Sequence, residues 1–68
     1  MEKIAHILKS LREEHGLSQA QLAKETGLSQ GAITFWETGK RVPNAIAVIT
    51  LANYFDVSTD YLLGVSKD

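Results

Sequence analysis

The sequence predicts an all-α fold, a compact domain of five short helices. Apolar residues recur at spacings of three and four along most of the chain, as they do on the buried face of a helix. Serine or asparagine, which cap helix N-termini, precedes several of these apolar runs. No segment alternates apolar and polar residues for long enough to indicate a β-strand, so a sheet is not expected.

The length and composition restrict the chain to one small domain. It has 68 residues and no cysteine, so neither disulfides nor thiolate metal sites stabilise it and helix packing has to do so. No apolar run approaches the ~20 residues that span a bilayer, and charged residues interrupt the N-terminal segment too often for a signal peptide. A cytoplasmic protein without membrane contact is therefore expected.

The first helix is predicted from about Lys3 to His15, with Gly16 ending it. His6 and His15 lie too far apart on this helix to bind a metal together. Both are therefore interpreted as surface residues, and no metal site is expected. The apolar stripe of the helix consists of Ile4, Ile7, Leu8 and Leu11.

The second helix follows closely and has clear signals at both ends. Ser18 and Gln21 make a capping-box pattern at its start, and the helix is predicted from Gln19 to about Glu25. Gly27 suits the left-handed conformation that ends such a helix.

The third helix begins after Ser29, another hydroxyl cap, and is predicted to end near Gly39. Ile33 and Trp36, three residues apart, form its buried face, and Trp36 is interpreted as core rather than as a stacking platform. Two capped helices joined at a glycine are the pattern of a helix-turn-helix. The same pattern also fits any compact α-hairpin.

The fourth helix is predicted from its cap, Asn44, to about Phe55, because Pro43 disfavours helical backbone in the residue before it. Ile46 is expected to face water beside the small Ala47, or else to contact a partner chain. The stripe assigned to the core consists of Ala45, Val48, Ile49, Ala52 and Phe55.

A short fifth helix is predicted after a break at Val57 and Ser58. Ser58 caps this helix, and Gly64 ends it. Its apolar residues are Tyr61, Leu62 and Leu63.

Taken in order, these segments resemble a known family. LREEHGLSQAQLAKETGLS, then I-x-x-WE-x-G-x-R-x-P, then LANYFDVSTDYLLG are similar to the lambda repressor and Cro-like helix-turn-helix family, the Xre-like regulators. The resemblance covers about Ile4 to Gly64. It implies a lambda repressor-like bundle whose second and third helices read DNA. Residues 1–68 are interpreted as one domain, with the helix-turn-helix at about 18–38 and a frayed tail at 65–68.

The resemblance also implies a function. Members are mostly bacterial or phage transcription regulators that bind palindromic operators through the major groove as homodimers, so a repressor that binds double-stranded DNA is expected. The dimer candidates are Val57, Tyr61 and Val65, while Leu62 is assigned to the core. Relatives also have a partly buried ion pair that braces the first and third helices, and Arg12 and Glu37 match it.

The third helix would present its outward side to base edges. Gln30 is the strongest candidate for a base reader, because an amide can donate to and accept from adenine at once. Gly31 either permits close approach to DNA, with Ala32 against a thymine methyl, or reflects a tolerant position. Phe35 replaces the family's usual polar residue and either presses on thymine methyls or folds back. The expected base contacts are Gln30, Gly31, Ala32, Thr34 and Phe35.

Phosphate contacts would position the domain and set its register. The net charge of −1 is unusual for such a role, but Lys40 and Arg41 stand together after the third helix, so a polarised domain can still bind a polyanion. The expected phosphate contacts are Gln19, Ser29, Thr38, Lys40, Arg41 and Asn44.

Two other classes of function are weighed. An enzyme would need a nucleophile or an acid–base pair in a pocket, and the serines are better explained as helix caps. A protein-interaction module that keeps the fold without strong DNA affinity is the main alternative, because the net charge, Phe35 and Ile46 all favour it. No cofactor and no small-molecule ligand are expected.

Overall fold

The computed structural model describes residues 2–65, which form helices and connecting turns without any strand. The helices are α1 (Glu2–Glu14), α2 (Gln19–Thr26), α3 (Gln30–Glu37), α4 (Ala45–Phe55) and α5 (Thr59–Leu63). The predicted five-helix, all-α fold is therefore confirmed. None of these helices is long and apolar enough to span a membrane. Residues 66–68 of the predicted frayed tail lie outside the described residues.

The predicted N-caps form at the start of four helices. In each case a side-chain oxygen accepts a hydrogen bond from the backbone N–H three residues later, which satisfies one of the unpaired donors of a helix start. The first cap is a complete capping box, because the Gln21 side chain also accepts from the Ser18 backbone N–H at 2.7 Å. The capping residues are Ser18, Ser29, Asn44 and Ser58.

α4 ends at Phe55, as predicted, and the predicted break at Val57 and Ser58 follows it. Between them Asp56 adopts the left-handed conformation, with φ of 56°. Aspartate tolerates this region better than most residues because its short polar side chain bonds locally. Asp56 therefore terminates α4 in the way that Gly27 terminates α2.

The core lies between the helices and is built from every one of them. Trp36 of α3 and Phe55 of α4 are its largest buried side chains, and Leu62 of α5 is fully buried as expected. The remaining members of the cluster are Ile4, Leu8, Leu11, Leu22, Ile33, Ala47, Val48, Leu51 and Ala52. This cluster fixes how α3 is turned toward the rest of the domain.

The predicted core stripe of α4 is partly wrong. Ala45 and Ile49 are exposed, while Ala47 and Leu51, which the stripe omitted, are buried. The helix reads AIAVITLANYF, so apolar residues occupy nearly every side and the helical period does not select a face. Packing against the other helices determines which side of α4 is buried. Ile46 is 75% exposed, which agrees with the expectation that it faces water.

Candidate nucleic-acid interface

The two helices of the motif meet at a tight turn. Gly27 has a φ of 74°, and its N–H donates to Ala23 at 2.8 Å, which ends α2. Ser29 then caps α3. Because Ile33 and Trp36 are buried against the core, the other side of α3 is left facing outward. The motif therefore presents one side of α3 to the surroundings.

The outward side of α3 carries the residues expected to contact bases. Gln30 and Gly31 are exposed, and Phe35 is 39% exposed, which is high for so large an apolar side chain. Ala32 and Thr34 are half-buried. Gly31, Ala32 and Phe35 are spaced by three and four residues and so lie on one face. The structure brings these residues together on one surface.

Thr34 and Gln19 are bonded to each other across the two helices. The Thr34 hydroxyl donates to Gln19 Oε1 at 2.6 Å, and Gln19 Nε2 donates to Glu37 Oε1 at 3.0 Å. Thr34 was expected to contact a base and Gln19 a phosphate. Both side chains therefore use part of their hydrogen-bonding capacity inside the protein. One amide N–H of Gln19 and the acceptor lone pairs of the Thr34 hydroxyl remain for DNA.

Arg12 and Glu37 form a bidentate ion pair behind α3. Arg12 Nε lies 2.7 Å from Glu37 Oε2, and Arg12 Nη2 lies 2.9 Å from Glu37 Oε1. The third nitrogen, Nη1, donates to the Leu17 carbonyl at 2.8 Å. The Glu37 side chain is 3% exposed and that of Arg12 is 12% exposed. The hydrogen bond to Glu37 raises the pKa of Arg12 above its ordinary value, against the opposing effect of burial.

The loop after α3 is tied back to the helix. The backbone N–H groups of Lys40 and Arg41 both donate to the Phe35 carbonyl, at 2.9 and 3.3 Å. This places the Arg41 guanidinium carbon 5.2 Å from the centroid of the Phe35 ring, in cation–π geometry. Lys40 and Arg41 are both exposed. The loop thus sets Arg41 beside Phe35 on the outward side of α3, and the exposed Lys40 precedes it in the chain.

The other expected phosphate contacts serve partly as helix-end residues. The hydroxyl of Thr38 donates to the Thr34 carbonyl at 2.9 Å, and the side-chain oxygens of Ser29 and Asn44 accept the cap bonds of α3 and α4. Asn44 keeps its amide N–H groups for other partners. The cap bonds of Ser29 and Asn44 were predicted from the sequence, whereas the bond from Thr38 to Thr34 was not.

A shallow concave surface of about 440 Å³ lies between α3 and the following loop. Its lining combines the small residues of α3, the Phe35 ring and the Arg41 side chain. The full lining is Ser29, Gly31, Ala32, Phe35, Trp36, Arg41, Val42 and Asn44. This surface was not predicted, because it joins two segments that no local pattern connects.

The expected dimer candidates differ in their exposure. Val57 and Tyr61 are partly buried against the core, whereas Val65 is 70% exposed. Ile49 is a further exposed apolar residue, at 51%. A mostly apolar groove between α4 and α5 is lined by Pro43, Ala45, Val48, Ile49, Thr59 and Leu63. Sequence reasoning missed this groove because it placed Ala45 and Ile49 in the core.

Comparison with known proteins gives consistent matches. The model of a helix-turn-helix family matches residues 8–62. The uncharacterized HTH-type transcriptional regulator YobD of Bacillus subtilis is 34% identical over 61 residues, which cover 90% of this chain and 54% of YobD. The HTH-type transcriptional activator BcrR of Enterococcus faecalis is 39% identical over 56 residues, covering 82% of this chain and 28% of BcrR.

A solved structure matches the whole fold. The P22 c2 repressor protein, in complex with a synthetic operator, superimposes with a TM-score of 0.87 at 29% sequence identity. The match covers 97% of this chain and 100% of that chain. The chain spans about half the length of YobD, and less of BcrR.

Proposed function

Because the chain belongs to the lambda repressor and Cro-like helix-turn-helix family, we propose that it binds double-stranded DNA at specific sequences and regulates transcription. The observation that carries this proposal is the exposure of the outward side of α3. The opposite side of the helix is buried in the core, and two exposed cations, Lys40 and Arg41, follow the helix in the chain. The P22 c2 repressor, whose fold matches over 97% of this chain, is in complex with an operator. The protein acts in the bacterial cytoplasm, as a regulator of a bacterial or phage promoter.

In this proposal α3 lies in the major groove of the operator. Gln30, Gly31, Ala32, Thr34 and Phe35 face base edges, and Gln30 makes the paired hydrogen bonds to adenine. The phosphate contacts come from Gln19, Ser29, Thr38, Lys40, Arg41 and Asn44. No catalytic step and no small-molecule ligand enters the proposal.

The charge distribution supports binding that depends strongly on salt. The net charge is −1, so attraction of the whole domain to DNA is weak. Lys40 and Arg41 supply the local positive potential at the interface, and each phosphate that a cation neutralises releases a counterion. We therefore expect affinity to fall steeply between low and physiological ionic strength.

Repeated selection of random duplex DNA against the purified domain tests this function. The expected result is enrichment of an inverted repeat whose half-site centres lie about one helical turn apart. A folded domain that enriches no sequence would contradict the proposal and favour an interaction module instead. Circular dichroism of the same preparation establishes that the domain is folded.

We further propose that the protein acts as a homodimer through the apolar groove between α4 and α5. Ile46 and Ile49 lie three residues apart on α4, on one side of the helix, and both are exposed. Leu63 of α5 lines the same groove as Ile49, and the exposed Val65 follows it in sequence. A face of this kind can pair with its own copy about a two-fold axis, as an inverted-repeat operator requires.

Ile46→Ser is expected to raise the dimer dissociation constant at least about a hundredfold, because it removes one apolar side chain of each copy from the interface. Sedimentation equilibrium without DNA measures this constant. Phe35→Ala is the matched control, since it removes an exposed apolar side chain from the DNA-facing surface. At a protein concentration where both proteins are monomeric, Ile46→Ser should melt close to the unmodified protein because the residue is exposed in the monomer. An unchanged dissociation constant would exclude this face and direct attention to Val57 and Tyr61.

A further inference from the structure

Thr34 uses its hydrogen-bond donor inside the protein. Its hydroxyl lies 2.6 Å from Gln19 Oε1, and the Gln30 carbonyl, at 3.1 Å, is a second acceptor for the same hydroxyl. A hydroxyl has one proton, and both of these oxygens can only accept a hydrogen bond. Thr34 therefore has no proton left for a base edge, and its side chain is half-buried.

The orientation of the Gln19 amide follows from its two neighbours. One end of the amide lies 3.0 Å from Glu37 Oε1, and a carboxylate only accepts hydrogen bonds, so this end is the nitrogen Nε2. The oxygen of the amide then faces the Thr34 hydroxyl and accepts its proton. Both ends of the amide are thus held, and a rotation of the side chain would break both bonds.

Glu37 provides a fixed anchor for this amide. Its carboxylate accepts two hydrogen bonds from Arg12, at 2.7 and 2.9 Å, and its side chain is 3% exposed. The Glu37 end of the Gln19 amide is therefore secured by the ion pair. The other end depends on the single bond from Thr34.

One N–H of Gln19 remains for a ligand. Nε2 carries two N–H groups, and Glu37 accepts one of them. The direction of the second N–H is set by the amide plane, which the bonds at both ends hold. Gln19 is also the first residue of α2, where unpaired backbone N–H groups favour an anion. A donor with a fixed direction at this place is suited to a phosphate oxygen.

We propose that Thr34 is a positioning residue, which orients Gln19 for its phosphate contact and reads no base. The inference rests on the proposed function and changes the role of one residue in it, because Thr34 then contributes through Gln19. An amide that is oriented before DNA arrives loses less conformational freedom on binding. Since a phosphate contact carries no base information, Thr34 contributes equally to the binding of every sequence.

Thr34→Val tests this role, because it keeps the branched shape and removes the hydroxyl. The dissociation constant should rise about three- to tenfold for each bound protomer, as expected for one hydrogen bond. The factor should be the same for the selected operator and for duplexes that differ from it by one base pair. Thr34→Ser keeps the donor and should bind within about twofold of the unmodified protein. Full affinity of Thr34→Val, or a loss of preference at one base pair, would overturn the inference.

A neutral phosphate analogue separates positioning from a purely structural role. Single phosphates of the operator are replaced by methylphosphonate, and the position that weakens the unmodified protein but not Gln19→Ala marks the Gln19 contact. Thr34→Val should have lost most of its sensitivity at that position, whereas Lys40→Ala should keep it. In the Gln19→Ala background, Thr34→Val should have little further effect. A Thr34→Val protein with full sensitivity there, or a scan without any position that depends on Gln19, would refute the positioning role.

The dependence on salt provides a second signature. Gln19 is neutral and releases no counterion, so Thr34→Val should weaken binding without changing the slope of log affinity against log salt concentration. Lys40→Ala should reduce that slope. A reduced slope in Thr34→Val would show that the hydroxyl acts through a charged contact and would contradict the inference.

The failure of this inference can be distinguished from the failure of the proposed function. A domain that selects an operator and binds it equally well as Thr34→Val still binds DNA specifically, so only the positioning role is refuted. A folded domain that selects no sequence refutes both. Fluorescence anisotropy with labelled duplexes gives each dissociation constant, and circular dichroism at the temperature of the assay establishes that each variant is folded.

Discussion

Glu37→Ala is expected to lower the free energy of unfolding by about 3 to 5 kcal/mol. The change removes both acceptors of the Arg12 fork and the acceptor of the Gln19 amide, and it leaves a cation that is only 12% exposed without its partner. The guanidinium cannot escape this cost by losing its proton, because an arginine side chain stays protonated in proteins. In a domain of this size the melting temperature should fall by about 15 to 30 °C.

Thermal and urea unfolding followed by circular dichroism measure this loss. Glu25→Ala is the matched control, because it removes an exposed carboxylate near the end of α2 and should change the unfolding free energy by less than about 0.5 kcal/mol. The single losses of Glu37→Ala and Arg12→Ala should not add in the double variant, since the two residues share one interaction. A melting curve of Glu37→Ala that coincides with that of the unmodified protein would contradict the role assigned to the pair.

Gln30→Ala is expected to reduce discrimination at one base pair of each half-site about ten- to hundredfold. Gln30 is the exposed side-chain amide on the outward side of α3, and paired bonds to adenine N6 and N7 are what distinguish that base from the others. Without the amide the position should accept several bases with similar affinity. Competition among four duplexes that differ only at this base pair gives the preference.

Lys40→Ala provides the contrasting result. A lysine that contacts a phosphate carries no sequence information, so its loss should weaken all four duplexes alike and reduce the slope of log affinity against log salt concentration by about one for each bound protomer. The variant Gln30→Ala should leave that slope unchanged. If Gln30→Ala keeps the base preference of the unmodified protein, Gln30 does not read that base and another residue does.

The order and limits of the helices could be predicted because their signals are local. Ser18 with Gln21, and Ser29 three residues before Ala32, define helix starts within one turn of the chain. The buried side of α4 could not be predicted, since nearly all its residues are apolar and only contacts with other helices decide between Ile49 and Leu51. The left-handed conformation of Asp56, which follows the predicted last residue of α4, could not be predicted because residue type favours it only weakly.

The DNA contacts assigned to the candidate site stay a prediction, and the contacts within the protein that connect its residues could not be predicted. The resemblance selected the residues of α3 and of the loop, and the ion pair between residues 12 and 37 forms as the resemblance implied. The bond from Thr34 to Gln19 joins residues 15 positions apart, and the Arg41 contact with Phe35 depends on how the loop returns to α3. Such contacts arise from tertiary geometry, which a spacing pattern does not contain.

The hydrogen-bonded network around Glu37 also separates two groups of residues in α3. Substitutions in one group destabilise the fold, and substitutions in the other do not. Thr34 and Glu37 are committed to internal bonds, and Ile33 and Trp36 to the core, so a change at any of them costs stability. Gln30, Gly31 and Phe35 are exposed and carry little of the fold. Under the proposed assignment of these three positions to base edges, substitutions there would change which operator is bound while leaving the buried and internally bonded side of α3 intact.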